Sequence, residues 1–306
     1  METHHTFCRI CESLCGLKVH TENDKIVHIE PDKDHVATEG FSCVKGLKQH
    51  EMYNSPDRLK YPLKKMPDGS YQRVSWDIAL SEIGAKVMKL RKEDGPDSIA
   101  MYVGTAAGFG VLHPTFAQGF MTGIGSKSMY ASATQDCSNK FAVSRQVYGF
   151  PFTLPFPDIS HTNCLIVVGA NPVISKWSFL QVPNPIEKLR SLEKRGAKLY
   201  FVDPRKTESA QTAGEHVFIR PGTDVFFYLS FLNELIRQNG VDRDKVDLYM
   251  EGLEAVESLA SEWSAEKTAA VTGIGADVLR QMVTDYINAD GAALYCSTGV
   301  NMGGNG

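Results

Sequence analysis

The sequence has no apolar run of membrane-spanning length; its longest candidates, such as CLIVVGA at 164–170, are as long as a strand. It has no excess of positive charge either. Lys and Arg number 32 against 36 Asp and Glu, a net charge of −4, so neither nucleic acid nor an anionic membrane surface is expected as a partner. The start METHHTF lacks an apolar signal region and a twin-arginine pair, and a cytoplasmic location without membrane insertion is expected. No GxGxxG is present, so an ordinary nicotinamide site has no motif behind it. The histidines form no metal-ligand spacing. The cysteines, seven in 306 residues, are too few and too scattered for a secreted disulfide scaffold.

Four of those seven are nevertheless gathered near the start, as Cys8-x2-Cys11-x3-Cys15-x27-Cys43. Zinc, disulfides and an iron–sulfur cluster are the candidates. Structural zinc usually takes two paired knuckles with two residues between ligands, and neither Cys15 nor Cys43 belongs to such a pair. A compact three-cysteine loop closed by a distant fourth suits an iron–sulfur cubane better. Gly16, Gly40 and Gly46 would let the backbone approach the cluster. Between Cys15 and Cys43, LKVHT and KIVHIE alternate apolar and polar residues across END, which predicts a hairpin. A β-rich domain of this size needs a staple, and a metal centre supplies one.

From about residue 75 the pattern turns helical. Ser75 is a plausible N-cap, with Ile78, Ile83, Val87 and Leu90 forming an apolar face. DSIAMYVG then predicts a buried strand, and TAAGFGVLHPTFAQGFMTGIG a glycine-rich loop leading into a helix. Further on, NCLIVVG, AKLYFVD and EHVFI alternate with helical stretches, and ALYCSTGV adds a fourth strand-like run. Apolar strands alternating with helices predict an α/β fold with a doubly wound parallel sheet. In such sheets ligands bind at the carboxyl ends of the strands. That places Gly169, Asn171, Asp203, Arg205, Gly222 and Asp224 along one edge. Buried free thiols are the ordinary explanation for Cys164 and Cys296.

FCRICESLCGLKV, GFSCVKG, SPDRLKYPLKK and VSWDIALSEIG, in that order, resemble the N-terminal half of the molybdopterin oxidoreductases. The resemblance continues to residue 306. It implies a [4Fe-4S] cluster domain at 1–60, the first part of a discontinuous α/β domain at 61–131, and a Rossmann-like dinucleotide-binding domain at 132–306, apparently truncated at its C-terminus. It implies Cys8, Cys11, Cys15 and Cys43 as cluster ligands, and molybdenum or tungsten bis-(molybdopterin guanine dinucleotide) as the second cofactor. It also implies a role for Lys45 as the cation between cluster and pterin, against the plainer reading of a solvated loop lysine.

In that family the protein ligand to the metal, which is cysteine, selenocysteine, serine or aspartate, falls within the stretch corresponding to 125–149. Setting the block on Gly125 and Gly149 without a gap puts Asp136 at the ligand position and Cys137 one residue late, although thiolate is the softer donor. Three options stay open: Asp136 as ligand, Cys137 as ligand, or no protein ligand with Asp136 merely capping a helix. GANP, VDPRKTESA and RPGTD resemble the family's guanine-dinucleotide segments. The Gly169-Ala170-Asn171 turn could meet pyrophosphate, Asp203 could accept from ribose, and Asp224 could accept from the guanine N1–H and N2 amine.

The expected activity is electron transfer through the cluster to or from a small-molecule substrate, with formate oxidation or nitrate and oxyanion reduction leading, and with an electron-transfer partner protein. A truncated non-catalytic iron–sulfur fragment, a non-redox hydratase on the same cofactor and a zinc-stapled nucleotide-binding protein are the rivals.

Overall fold

The computed structural model describes all residues except 105, 106, 108, 109, 111, 177–182, 305 and 306. Contacts divide the chain into two units, Met1–Ser132 and Ala133–Gly306.

The first unit opens with an antiparallel sheet in the order β1 (Glu2–Phe7), β2 (Gly16–Glu22), β3 (Lys25–Pro31). The predicted hairpin is β2–β3. Glu22 pairs with Lys25 across a two-residue turn, and Asn23 and Asp24 both take positive φ, 49° and 60°. Those are the residue types that tolerate the left-handed region a tight hairpin demands. Two short helices follow, α1 (Val44–Leu47) and α2 (Gln49–Tyr53), both contacting β3. The core beneath is thin: Cys8, Cys15, Leu17 and Ile29.

A small hairpin, β4 (Leu63–Lys65) with β5 (Tyr71–Arg73), leads to α3 (Trp76–Glu93). Ser75 caps α3 as predicted, its Oγ accepting from Ile78 N–H at 3.2 Å. The expected apolar face is another matter. No residue of α3 is buried; Ile78 and Ile83 are exposed. The predicted buried strand shrinks to β6 (Met101–Val103), half-exposed and, among the described residues, paired in parallel with β7 (Met129–Ala131) alone. A two-stranded pair has no neighbours with which to cover its faces. Helix α4 (His113–Ile124) follows the glycine-rich loop, part of which lies outside the described residues.

The second unit is built on four parallel strands in the order β10 (Glu215–Val217), β9 (Lys198–Val202), β8 (Cys164–Val168), β11 (Ala292–Cys296). The chain thus winds outward from β8 in one direction and then returns to its other side, the doubly wound pattern expected. Side chains alternate between two cores. Cys164, Ile166, Val168, Tyr200 and Val202 face a layer that includes Phe227 and Phe231 of α8 (Asp224–Arg237) and Leu279, Met282 and Val283 of α10 (Ala276–Asn288). Leu165, Val167, Leu199 and Phe201 face the opposite layer, with Leu189 and Leu192 of α6 (Pro185–Lys194) and Ala210 of α7 (Glu208–Thr212). Helix α5 (Ser138–Tyr148) precedes the sheet, and α9 (Ala265–Thr272) packs beside α8 and α10. Because both faces of β8 are covered, all five of its residues are buried, which is why its sequence is an unbroken apolar run.

Candidate functional site

The first site is the loop joining β1 to β2. The last strand pair is Phe7 with Gly16, so Cys8 and Cys15 stand at the two ends of the connection. The Cys8 amide donates to the Cys15 carbonyl at 2.8 Å and closes the loop around Cys11. Cys43 is the residue just before α1, and an added Cβ at Gly46 of α1 would clash with Ser42 Oγ at 2.5 Å and touch Cys8 Sγ at 3.5 Å. Burial pushes the Cys15 thiol up to about 11, and the neighbouring Cys8, Cys11 and Cys43 push it the same way. Cys8 is raised for the same reasons, burial first, while the Ile10 amide and the Gln49 side chain pull against it. Cys8 and Cys15, the two buried thiols of the set, resist becoming thiolates until a cation joins them. Gln49 Nε2 donates to Cys8 Sγ at 3.4 Å, and Cys11 Sγ donates to Ser13 Oγ at 3.3 Å. Two buried oxygens here, Glu12 Oε1 in the loop and Ser42 Oγ just before Cys43, have no hydrogen-bond partner. Among the described residues, no three His, Cys, Asp or Glu side chains form the ready-made ligand set of a single metal ion. Lys45 is exposed on α1, two residues after Cys43. Gly16 and Gly40 are glycine for different reasons. A Cβ at Gly16 would collide with the His35 ring, whereas Gly40 takes φ +77°.

The second site is the carboxyl edge of the parallel sheet. Gly169 follows β8 with φ +58°, and a Cβ there would lie 2.8 Å from the Val300 amide nitrogen. Gly299 after β11 is equally crowded, and its amide donates to the Gly169 carbonyl at 2.9 Å. Only backbone fits between the two turns. Asp203 follows β9; its Oδ1 accepts from the Arg205 amide at 2.9 Å. Gly222 and Asp224 lie beyond β10, Gly222 at φ +75°. Thr223, not Asp224, is the residue before the first turn of α8, and Asp224 is its first helical residue. Burial raises the Asp224 carboxyl above the usual range, and the charge of Asp203 adds to the effect.

Asn171 and Arg205 have protein partners at this edge. The Asn171 amide donates to Glu208 Oε2 at 2.7 Å, and its oxygen accepts from the Ser209 amide and hydroxyl. Arg205 pairs with Glu208 at 3.0 Å. The Arg205 guanidinium, the residue's own backbone amide and Asn171 together hold the Glu208 carboxyl at about 2.

Asp136 is brought to the same edge. Its Oδ1 accepts from Thr298 Oγ1 at 3.2 Å, one residue before Gly299. The capping alternative does not match the geometry: Cys137, at φ −132°, is the residue preceding α5, and no side chain caps that helix. Asp136 is half-buried, whereas Cys137 is 8 % exposed. Two further contacts hold α5 to the end of β11 and to the segment after it. Asn139 Nδ2 donates to the Asn301 carbonyl at 2.6 Å, and Lys140 Nζ to the Cys296 carbonyl at 2.5 Å. Burial holds the Lys140 ammonium below the ordinary lysine range, against the pull of Cys296, Cys137 and Asp136. Beside it lies a largely apolar cavity of about 340 Å³, with Val143, Tyr148, Phe156 and Leu294 in its wall. Sequence reasoning passed over Thr298 and Lys140. The spacing of Lys140 four residues after Asp136 was a signal for one; Thr298 left none.

Comparison with known proteins decides the family. Residues 58–301 match the family model for molybdopterin oxidoreductase, and residues 1–55 match that for the molybdopterin oxidoreductase Fe4S4 domain. The chain belongs to the molybdopterin oxidoreductase family. It is 26 % identical to the acetylene hydratase of Syntrophotalea acetylenica over 307 residues, covering 97 % of this chain and 40 % of the relative. It is 25 % identical to the alpha subunit of the F420-dependent formate dehydrogenase 2 of Methanococcus maripaludis over 300 residues, 95 % of this chain and 42 % of the relative. Among solved structures, acetylene hydratase from Pelobacter acetylenicus superposes with a TM-score of 0.81 at 24 % identity, over 98 % of this chain and 41 % of the other. That likeness shows the fold. The chain spans about two fifths of the length of these relatives.

Membership in the molybdopterin oxidoreductases brings a [4Fe-4S] cluster and a molybdenum or tungsten molybdopterin cofactor. The donor sets fit. Four cysteines that sense one another, with a buried hydroxyl lacking an acceptor beside them, offer the chemistry a cubane takes. The Gly169 and Gly299 turns pack backbone on backbone, which fixes the turn after β8, the carboxyl end of the sheet where folds of this kind take a dinucleotide. Among the described residues, no helix is long and apolar enough to cross a membrane.

Proposed function

We propose that this chain belongs to a cytoplasmic molybdenum or tungsten bis-(molybdopterin guanine dinucleotide) oxidoreductase that exchanges electrons between a small substrate and a partner protein. One observation carries this: Thr298 holds the Asp136 carboxylate at the sheet edge where the Gly169 turn, Asp203 and Asp224 also stand. The cofactors supply two-electron chemistry at the metal and single-electron traffic through the cluster.

The protein's part is to hold and polarise. Cys8, Cys11, Cys15 and Cys43 would bind the cluster, within the 1–60 domain that we set apart from the α/β segments at 61–131 and 132–306. Lys45 would place its ammonium between cluster and pterin, where positive charge favours added electrons. Gly169 and Asn171 would meet pyrophosphate through backbone, since the Asn171 side chain already serves Ser209 and Glu208. Asp203 and Arg205 would orient the ribose end, and Asp224, behind the Gly222 turn, would accept from guanine. Asp136 is the metal ligand in this scheme; its partial exposure, against the burial of Cys137, supports the choice. A carboxylate is a harder donor than a thiolate and suits oxygen-bearing substrates such as formate or nitrate.

The test is turnover by the anaerobically purified protein. Formate oxidation or nitrate reduction coupled to an artificial viologen dye, lost in Asp136→Ala and kept in Cys137→Ser, is the expected result. The likeness to acetylene hydratase favours one rival. Hydration of acetylene with no electron exchanged would replace the redox proposal with it.

A further inference from the structure

Around the cysteine loop two side chains outside the ligand set converge on sulfur. The Gln49 amide donates to Cys8 Sγ at 3.4 Å and also to the Gly46 carbonyl at 3.2 Å. The second bond fixes the amide plane, so the donor is held on the sulfur rather than sampling it. Ser42 approaches from the other flank of α1. Its Oγ is buried and has no hydrogen-bond partner. A Cβ at Gly46 would fall 2.5 Å from Ser42 Oγ and 3.5 Å from Cys8 Sγ. Hydroxyl and sulfur therefore both border the position a Gly46 side chain would occupy, and a side chain there would clash with the hydroxyl. A buried hydroxyl without an acceptor is rare unless an acceptor arrives with a ligand.

We propose that Ser42 and Gln49 are positioning residues that set the reduction potential of the [4Fe-4S] cluster by donating hydrogen bonds to its sulfurs, Gln49 to the Cys8 thiolate and Ser42 to Cys8 or to an adjacent sulfide. This rests on reading Cys8, Cys11, Cys15 and Cys43 as the cluster's ligands. Reduction adds one electron and makes the sulfurs more negative. Donors aimed at them stabilise the reduced state more than the oxidised one and raise the potential. Neither side chain touches substrate or the second cofactor in this account, so the effect belongs to the cluster.

The experiment is a redox titration of the cluster by electron paramagnetic resonance in the anaerobically purified protein, with iron and acid-labile sulfide measured on each sample. The double variant Ser42→Ala with Gln49→Leu is expected to shift the reduction equilibrium about tenfold toward the oxidised state, or about 59 mV more negative for one electron. Each single variant should give part of that shift, and Ser42→Thr, which keeps the hydroxyl, should stay near the parent. Variants that hold a full cluster yet titrate at the parent's midpoint would overturn the proposal. Where the alanine variant does not load, the parent decides: exchange into D₂O should move its Fe–S(Cys) Raman bands, and bands that stay put count against donors on sulfur. A parent without a cluster would instead sink the ligand assignment on which this rests.

Discussion

Between β1 and β3 the chain buries Cys8, Cys15, Leu17 and Ile29 and little else, whereas β8 and β9 alone bury nine residues divided between two cores. Both regions carry loops that the proposed function assigns to a cofactor, but they are held in place by different means. The parallel sheet is rigid through packing on both faces before anything binds, and its loops inherit that rigidity. The cysteine loop has two small strand pairings and a thin core, so much of its stability must come from the group it binds. One region is a scaffold with a site added; in the other the site is part of the scaffold.

The sharpest way to separate them is to withhold the cluster. In Cys15→Ser, iron should be lost, and amides in residues 1–50 should lose most of their hydrogen-exchange protection while β8 and β9 keep theirs. Loss of protection across both regions would break the comparison. The converse variant is Phe201→Ala. Phe201 is 1 % exposed, and its truncation should cost roughly 3–5 kcal/mol, read as an earlier denaturant midpoint for the second unit, with iron content per folded protein unchanged. A smaller effect is expected at Gly169→Ala, where positive φ and contact with Val300 make a side chain cost about 1–3 kcal/mol. The purified variant should retain less guanine nucleotide on acid release.

The smallest effect concerns pH. The Glu208 carboxyl is ordinarily at 4.5 and is held at about 2 by Arg205, its own amide and Asn171. A depressed carboxyl favours the folded state only while ionised. Its contribution is present above pH 4.5 and lost as pH falls toward 2. Glu208→Gln should flatten the acid limb of thermal stability in that window and leave the neutral range almost unchanged.

The same contrast explains what could be read from residues alone. The buried strands were legible because two covered faces leave an unbroken apolar run, and the cysteines because ligand chemistry imposes spacing. Ser75 announced α3, yet its apolar face is exposed in this unit, since periodicity reports a stripe and not what covers it. The sequence places Asn171 at the sheet edge as part of a turn toward pyrophosphate, but nothing local tells that its side chain is bonded to Glu208 and Ser209, more than 30 positions away. Thr298 holds Asp136 across 162 positions. Such contacts depend on how the chain is wound, and neither partner's neighbours in sequence hint at them. Ser42 was invisible for a similar reason: its meaning lies in the missing side chain at Gly46.

The central proposal is that the cysteine loop carries a cubane and the sheet edge a molybdopterin dinucleotide. Iron, acid-labile sulfide, molybdenum, tungsten and zinc, measured together on anaerobically purified protein, test it most directly. About four irons and four sulfides with one molybdenum or tungsten per protein is the predicted result. Zinc without sulfide would contradict it.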